Sequence, residues 1–79
     1  MTKDEKFLIK LHDMALGFGD IFYEVNAYAV GEKVGVIGER AVNNIVKNLA
    51  KANFVKKGEG DNIILTQNGL TLVNLLRGA

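Results

Sequence analysis

Few side chains in this sequence could perform chemistry, and their spacing does not combine them. His12 is the only histidine, and the chain has no cysteine and no serine. These absences exclude a thiol or serine nucleophile and a zinc site built on thiolates. Asp13 follows His12 directly, but adjacent residues on a helix point in different directions, so we expect no acid–base pair there. We therefore predict no catalytic residue and no enzyme.

The glycines and the remaining carboxylates do not mark a ligand site either. The glycines within 31–38 do not follow a strand in a G-x-G-x-x-G arrangement, which argues against a nucleotide site. Glu59 and Asp61 lie in a glycine-rich turn, but the other ligands of a calcium loop are missing. We therefore expect no metal, no cofactor and no small-molecule ligand.

Charge is distributed unevenly along the chain, although the net charge is only +1. Residues 1–32 carry three lysines against six acids, whereas residues 33–57 carry six cations against Glu39 alone. A basic segment of this kind suits a polyanionic partner, or it is simply a solvated surface.

Length and composition limit the architecture to one small domain over residues 1–79, since 48% of the residues are hydrophobic. No apolar run approaches the roughly 18 residues that a membrane-spanning helix needs, and no signal peptide is visible. We expect a cytoplasmic protein that does not contact a membrane.

Hydrophobic periodicity predicts a helix over 4–16, which ends at two closely spaced glycines. A second helix is predicted over about 21–34. Its start is open, because Asp20 and Asn26 are both candidate N-caps and residues 21–23 could instead be extended.

The strongest periodic signal covers residues 39–53, after a glycine-bounded turn at 35–38. Asn53 stands where a helix ends on a residue with positive φ. The apolar stripe of this helix consists of Val42, Ile45, Val46 and Leu49.

Two β-prone runs around Gly58-Glu59-Gly60-Asp61 predict a β-hairpin over 54–66. A last helix is predicted over 67–77. The chain is thus expected to be α+β and mostly helical.

This order of elements resembles the winged helix-turn-helix superfamily, which is common among bacterial and archaeal transcription regulators. Two stretches within residues 26–77 carry the resemblance. Val30-Gly31-Glu32-Lys33-Val34-Gly35, followed by the run from Glu39 to Val55, is similar to the family pattern "LAEKLG…ERTV..I...L...G.I". The run from Leu65 to Val73 is similar to "LT..G..LL". The implied fold is a three-helix core, a two-stranded β-hairpin wing and a C-terminal helix.

The resemblance implies a small transcription regulator that binds double-stranded DNA with helix 39–53 as the recognition helix in the major groove. Arginine pairs with guanine and asparagine with adenine, while lysines position the protein on phosphates. The implied DNA-binding residues are Glu39, Arg40, Asn43, Asn44, Lys47, Lys51, Lys56 and Lys57. This function requires the cationic side of the helix to be uncovered. Phosphate contacts by the four lysines would give log K a slope against log salt of about −3.6.

Two features differ from the family pattern. The turn at 35–38 is one residue longer and leaves Gly38 as an N-cap without a side-chain oxygen. The hairpin tip carries Glu59 and Asp61, where a wing on phosphates would carry lysine or arginine.

These differences leave open a second interpretation, a protein-interaction or assembly module that does not bind DNA. A homodimer through the terminal helices is compatible with either function. The surplus apolar residues that could form an interface are Ile21, Phe22, Leu70 and Leu75, although core filling is the stronger expectation for Phe22.

Overall fold

Four α-helices and a three-stranded antiparallel sheet make up the computed structural model of this chain, which describes residues 1–78. The predicted α+β class is confirmed. The elements in chain order are α1 (Lys3–Gly17), β1 (Val25–Asn26), α2 (Ala27–Lys33), α3 (Glu39–Lys51), β2 (Val55–Lys57), β3 (Asn62–Leu65) and α4 (Gln67–Leu76). The strand order in the sheet is β1-β3-β2, so the central strand is β3.

Helix α1 begins at a capping box formed by Thr2 and Glu5. The Glu5 backbone N–H donates to the Thr2 hydroxyl, and the Thr2 backbone N–H donates to the Glu5 carboxylate. The backbone hydrogen bond from Thr2 lowers the pKa of the Glu5 carboxyl. The helix agrees with the predicted range 4–16 to within one residue at each end, and it packs against the three other helices.

Helix α2 is much shorter than the predicted helix over 21–34, because it begins only at Ala27. The side chain of Asn26 caps it by accepting hydrogen bonds from the backbone N–H groups of Tyr28 and Ala29. The prediction of a helix from about residue 21 was therefore wrong, and Asn26 is the true N-cap.

Residues 20–24 form a turn that leads into β1. The Asp20 carboxylate accepts a hydrogen bond from the Phe22 N–H, and the Asp20 carbonyl accepts one from the Tyr23 N–H. Strand β1 then pairs with β3, so the sheet has three strands and not the two of the predicted hairpin. Phe22 is exposed on this turn, and the expectation that it fills the core was wrong.

Helices α2 and α3 pack closely because Gly31 has no side chain. A Cβ on Gly31 would lie 2.7 Å from Val42 Cγ2 and 3.2 Å from the Val36 carbonyl oxygen. Gly38 starts α3 at φ 99° without a side-chain hydrogen bond, as the sequence predicted.

Thr66 joins the end of α3 to the start of α4. Its hydroxyl donates to the carbonyl of Asn53 (2.6 Å) and accepts from the backbone N–H of Gly69 (3.0 Å). Asn53 has the predicted positive φ, at 63°. The predicted hairpin over 54–66 and helix over 67–77 are both present, with β2, β3 and α4 inside those ranges.

One hydrophobic core underlies all of these elements. Leu70 is half-buried against it, whereas Leu75 on the outer side of α4 is exposed. The largest fully buried side chains are Phe7, Leu8, Leu11, Ile63, Leu65, Val30, Val42, Val55 and Val73. Within residues 1–78, no helix combines the length and the apolar character needed to cross a bilayer.

Candidate nucleic-acid interface

Helix α3 presents a cationic stripe to solvent on the side opposite its buried stripe. At 100° per residue, the buried side chains of Val42 and Leu49 lie about half a turn around the helix from Arg40 and Lys47. We call the exposed set the α3 stripe; it consists of Arg40, Asn44, Lys47 and Lys51. Among residues 1–78, the cations of this stripe form no ion pair with an acid. The required exposure of the cationic side is confirmed.

An open groove of about 460 Å³ runs beside this stripe, between α3 and β2. Its apolar part comes from Val46 and Ala50, and its cations come from Lys47, Lys51 and Lys57. We call it the α3–β2 groove. It brings three of the predicted lysines together at one surface, although they come from two different elements.

Lys56 is not part of this groove, because successive residues of a strand point to opposite faces of a sheet. Lys57 pairs with the buried Ile63 and shares its face of the sheet, whereas Lys56 pairs with Ile64 on the outer face. Two neighbouring lysines, both predicted to contact DNA, therefore lie on different sides of the hairpin.

Asn43 is held in place by Tyr28, a residue that sequence reasoning missed. The Tyr28 hydroxyl donates a hydrogen bond of 2.9 Å to Asn43 Oδ1 and so ties α2 to α3. The partner lies 15 positions later on another helix, so the sequence around Tyr28 gave no local signal of this hydrogen bond. Asn43 keeps its exposure beside the groove, but one of its hydrogen-bonding atoms is already engaged.

The beginning of α3 carries Glu39 and Arg40, both exposed, and next to them Ile37 at 88% exposure. Ile37 occupies the longer turn that the sequence showed before Gly38. A negative charge in the first turn of a helix is stabilised by the helix dipole, so Glu39 has a structural reason to be there.

Acidic side chains gather at the hairpin tip, where Glu59 and Asp61 are exposed. Glu24 joins them, because its carboxylate accepts a hydrogen bond of 2.9 Å from the Glu59 backbone N–H. A Cβ on Gly58 would overlap the same carboxylate, so a larger residue at position 58 would displace the Glu24 side chain. The acidic tip is thus fixed to the turn that precedes β1.

The expectation that Asp13 points away from His12 was wrong. His12 Nδ1 lies 3.0 Å from Asp13 Oδ1, and the same oxygen accepts a hydrogen bond from Arg77 at the end of α4. Partial burial raises the pKa of Asp13, but the hydrogen bonds from His12 and Arg77 outweigh it and hold the pKa below its usual value. These contacts tie α4 to α1.

In the part of the chain that the structure describes, no three His, Asp or Glu side chains lie close enough together to hold a metal ion. No protein-family model matches this chain, and no curated protein and no solved structure compared with it gives a match.

Proposed function

We propose that this protein is a winged helix-turn-helix domain that binds double-stranded DNA in the cytoplasm as a small transcription regulator. The observation that carries the proposal is the α3 stripe, whose four residues are exposed and lie opposite the side by which α3 packs on the core. A helix anchored in this way can enter the major groove without losing its own packing.

The residues then divide into those that read bases and those that position the protein. Arg40 and Asn44 lie on the first turns of α3, where a recognition helix meets base edges. Arg40 suits guanine O6 and N7, and Asn44 suits adenine N6 and N7. Lys47, Lys51 and Lys57 line the α3–β2 groove, and in this proposal they bind phosphates.

The charge distribution supports the same orientation. Six cations lie within residues 33–57, and three of them line the α3–β2 groove, whereas Asp20, Glu24, Glu59 and Asp61 lie at the hairpin tip and in the turn before β1. The cations of α3 attract the phosphates of a duplex, whereas the acids at the hairpin tip repel them. The wing therefore has no part in this proposal beyond the groove-side Lys57.

Fluorescence anisotropy with a labelled duplex of mixed sequence tests the proposal across a range of salt concentrations. Three lysine–phosphate contacts give log K a slope against log salt of about −2.7. Lys47→Ala should weaken binding to every sequence and reduce the slope by about 1. Lys6→Ala, which removes one exposed lysine from α1, is the matched control and should leave the slope unchanged.

Base reading is tested separately with a specific duplex selected from a random pool. Arg40→Ala should cost about 1–3 kcal/mol on the selected duplex and much less on mixed DNA. The proposal fails if the wild-type chain does not bind duplex at about 50 mM salt, where phosphate contacts are strong. It also fails if Lys6→Ala weakens binding as much as Lys47→Ala.

A second candidate function is a protein-interaction module, and the exposed apolar side chains favour it. Leu16 on α1 and Leu75 on α4 are both exposed, which is compatible with the proposed homodimer through the terminal helices. A solution mass measurement distinguishes monomer from dimer, and Leu75→Glu should shift a dimer towards monomer.

A further inference from the structure

Half of the aromatic side chains of this protein are exposed in one short loop. The chain has six aromatic residues, and Phe18, Phe22 and Tyr23 are 63%, 40% and 47% exposed. Phe18 and Tyr23 stack on each other with ring centroids 4.7 Å apart. Aromatic side chains stabilise a small domain most when buried, so this group contributes little to the core. Exposed aromatic clusters of this kind are typical of interaction surfaces.

The loop that carries these rings is held by hydrogen bonds at both ends. Asp20 closes its turn by accepting two hydrogen bonds, one at its carboxylate from the Phe22 N–H and one at its carbonyl from the Tyr23 N–H. Glu24 fixes its other end to the hairpin through the Glu59 N–H. A surface that is already ordered loses little conformational entropy when a partner binds.

Between this loop and the hairpin lies an open cleft of about 680 Å³, which we call the aromatic cleft. Phe22, Tyr23 and Ile64 supply its apolar surface. The carboxylates at its edge belong to Asp20, Glu24 and Glu59. Among the described residues that line it, none is a lysine or an arginine.

We propose that the aromatic cleft docks an arginine-bearing segment of another polypeptide. A guanidinium is planar and weakly hydrated, so it stacks on an aromatic face and pairs with carboxylates at the same time. The cleft does not suit DNA, because the three carboxylates that line it would repel the phosphates of a duplex. The occupant is therefore a cationic protein segment.

The cleft and the α3–β2 groove lie on opposite faces of the hairpin. Ile64 lines the cleft from the outer face of the sheet, and Lys57 lines the groove from the other face. Docking at the cleft thus leaves α3 uncovered, and the proposal does not depend on DNA binding.

The test titrates the ¹⁵N-labelled full chain with a short capped peptide that contains two arginines among glycines. Backbone amide shifts are expected to change in residues 18–24 and 58–64 and to stay constant in α3. The same peptide with lysine in place of arginine should bind about fivefold more weakly, because lysine stacks less well on aromatic rings. Replacement of arginine by citrulline, which keeps the shape and removes the charge, should abolish the shifts.

Two substitutions of exposed residues test which side chains of the aromatic cleft contribute to peptide affinity. Phe22→Ala and Glu59→Gln should each weaken the arginine peptide about fivefold. Both side chains are exposed, and Glu59 meets its neighbours through its backbone N–H. Glu32→Gln removes the same charge from the exposed side of α2 and should have no effect.

A gain of affinity provides an independent check. Lys56 shares the outer face of the sheet with Ile64 and repels a cation in the cleft, so Lys56→Ala should strengthen peptide binding about twofold. The proposal is overturned if Glu32→Gln weakens binding as much as Glu59→Gln, or if the lysine and arginine peptides bind equally. Self-association of the chain that shifts the same residues without peptide would also overturn it, because the occupant would then be a second copy.

Discussion

A glycine allows two elements of this fold to come into close contact at Gly69 but not at Gly17, although both residues lie in helices. A Cβ on Gly69 would overlap the carbonyl oxygen of Phe54 and come within 2.8 Å of Leu65 Cδ1, whereas a Cβ on Gly17 would have no neighbour within 4 Å. Both positions are helical, so their intrinsic preference for alanine is similar.

We predict that Gly69→Ala destabilises the protein by about 1–3 kcal/mol, because the backbone of Phe54 must move to accept the methyl group. Gly17→Ala should be neutral or stabilise the fold by up to about 1 kcal/mol, since alanine restricts the unfolded chain. Urea unfolding followed by circular dichroism measures both values. Equal effects of the two substitutions would show that α4 does not pack on residue 54 as described.

Single residues were predictable where the backbone of a helix end favours one residue type. Asn53 has the positive φ expected of a helix end, and Gly38 caps α3 without a side-chain bond. Thr2 and Glu5 form a capping box with the pattern T-x-x-E, which sets the start of α1 at Lys3, one residue before the predicted start.

Helices were predictable where the hydrophobic periodicity of the segment itself determined their position. The stripe of α3 is strongly periodic, and all four of its predicted apolar residues are buried. The start of α2 was not predictable in this way, because Asp20 and Asn26 are equally good caps. Pairing of Val25 with Ile63, 38 positions later, selects Asn26 and turns the preceding residues into a loop. A contact so distant in sequence leaves no local signal.

The buried apolar residues of α3 supply a prediction at the same scale. Leu49→Ala should lower the free energy of unfolding by about 2–5 kcal/mol, because it leaves a cavity between α3 and the rest of the core. Leu75→Ala makes the same chemical change on α4 at a side chain that is 67% exposed, and should cost less than about 0.5 kcal/mol. Chemical denaturation of both variants checks the difference. A loss under about 1 kcal/mol for Leu49→Ala would mean that α3 is not anchored by this side.

At the scale of the whole molecule, the two faces of one small sheet border surfaces of different charge, with Lys56 as an exception on the outer face. Lysines surround the face towards α3, and carboxylates surround the aromatic cleft on the outer face. Composition could not reveal this arrangement, since a net charge of +1 hides both surfaces. Segment charges indicated a basic middle, but only the strand register assigns Lys56 and Lys57 to different sides.

That register makes the neighbouring lysines a matched pair for testing how DNA meets the molecule. If the duplex lies against α3 and the α3–β2 groove, Lys57→Ala should reduce the magnitude of the salt slope by about 0.9, the share of one phosphate contact. Lys56→Ala removes the same charge from the adjacent position and should leave the slope within experimental error. Anisotropy titrations of both variants against the same duplex give the comparison. Equal losses would mean that the charge of the hairpin acts as a whole, and a larger loss for Lys56→Ala would place the duplex on the outer face of the sheet, away from α3.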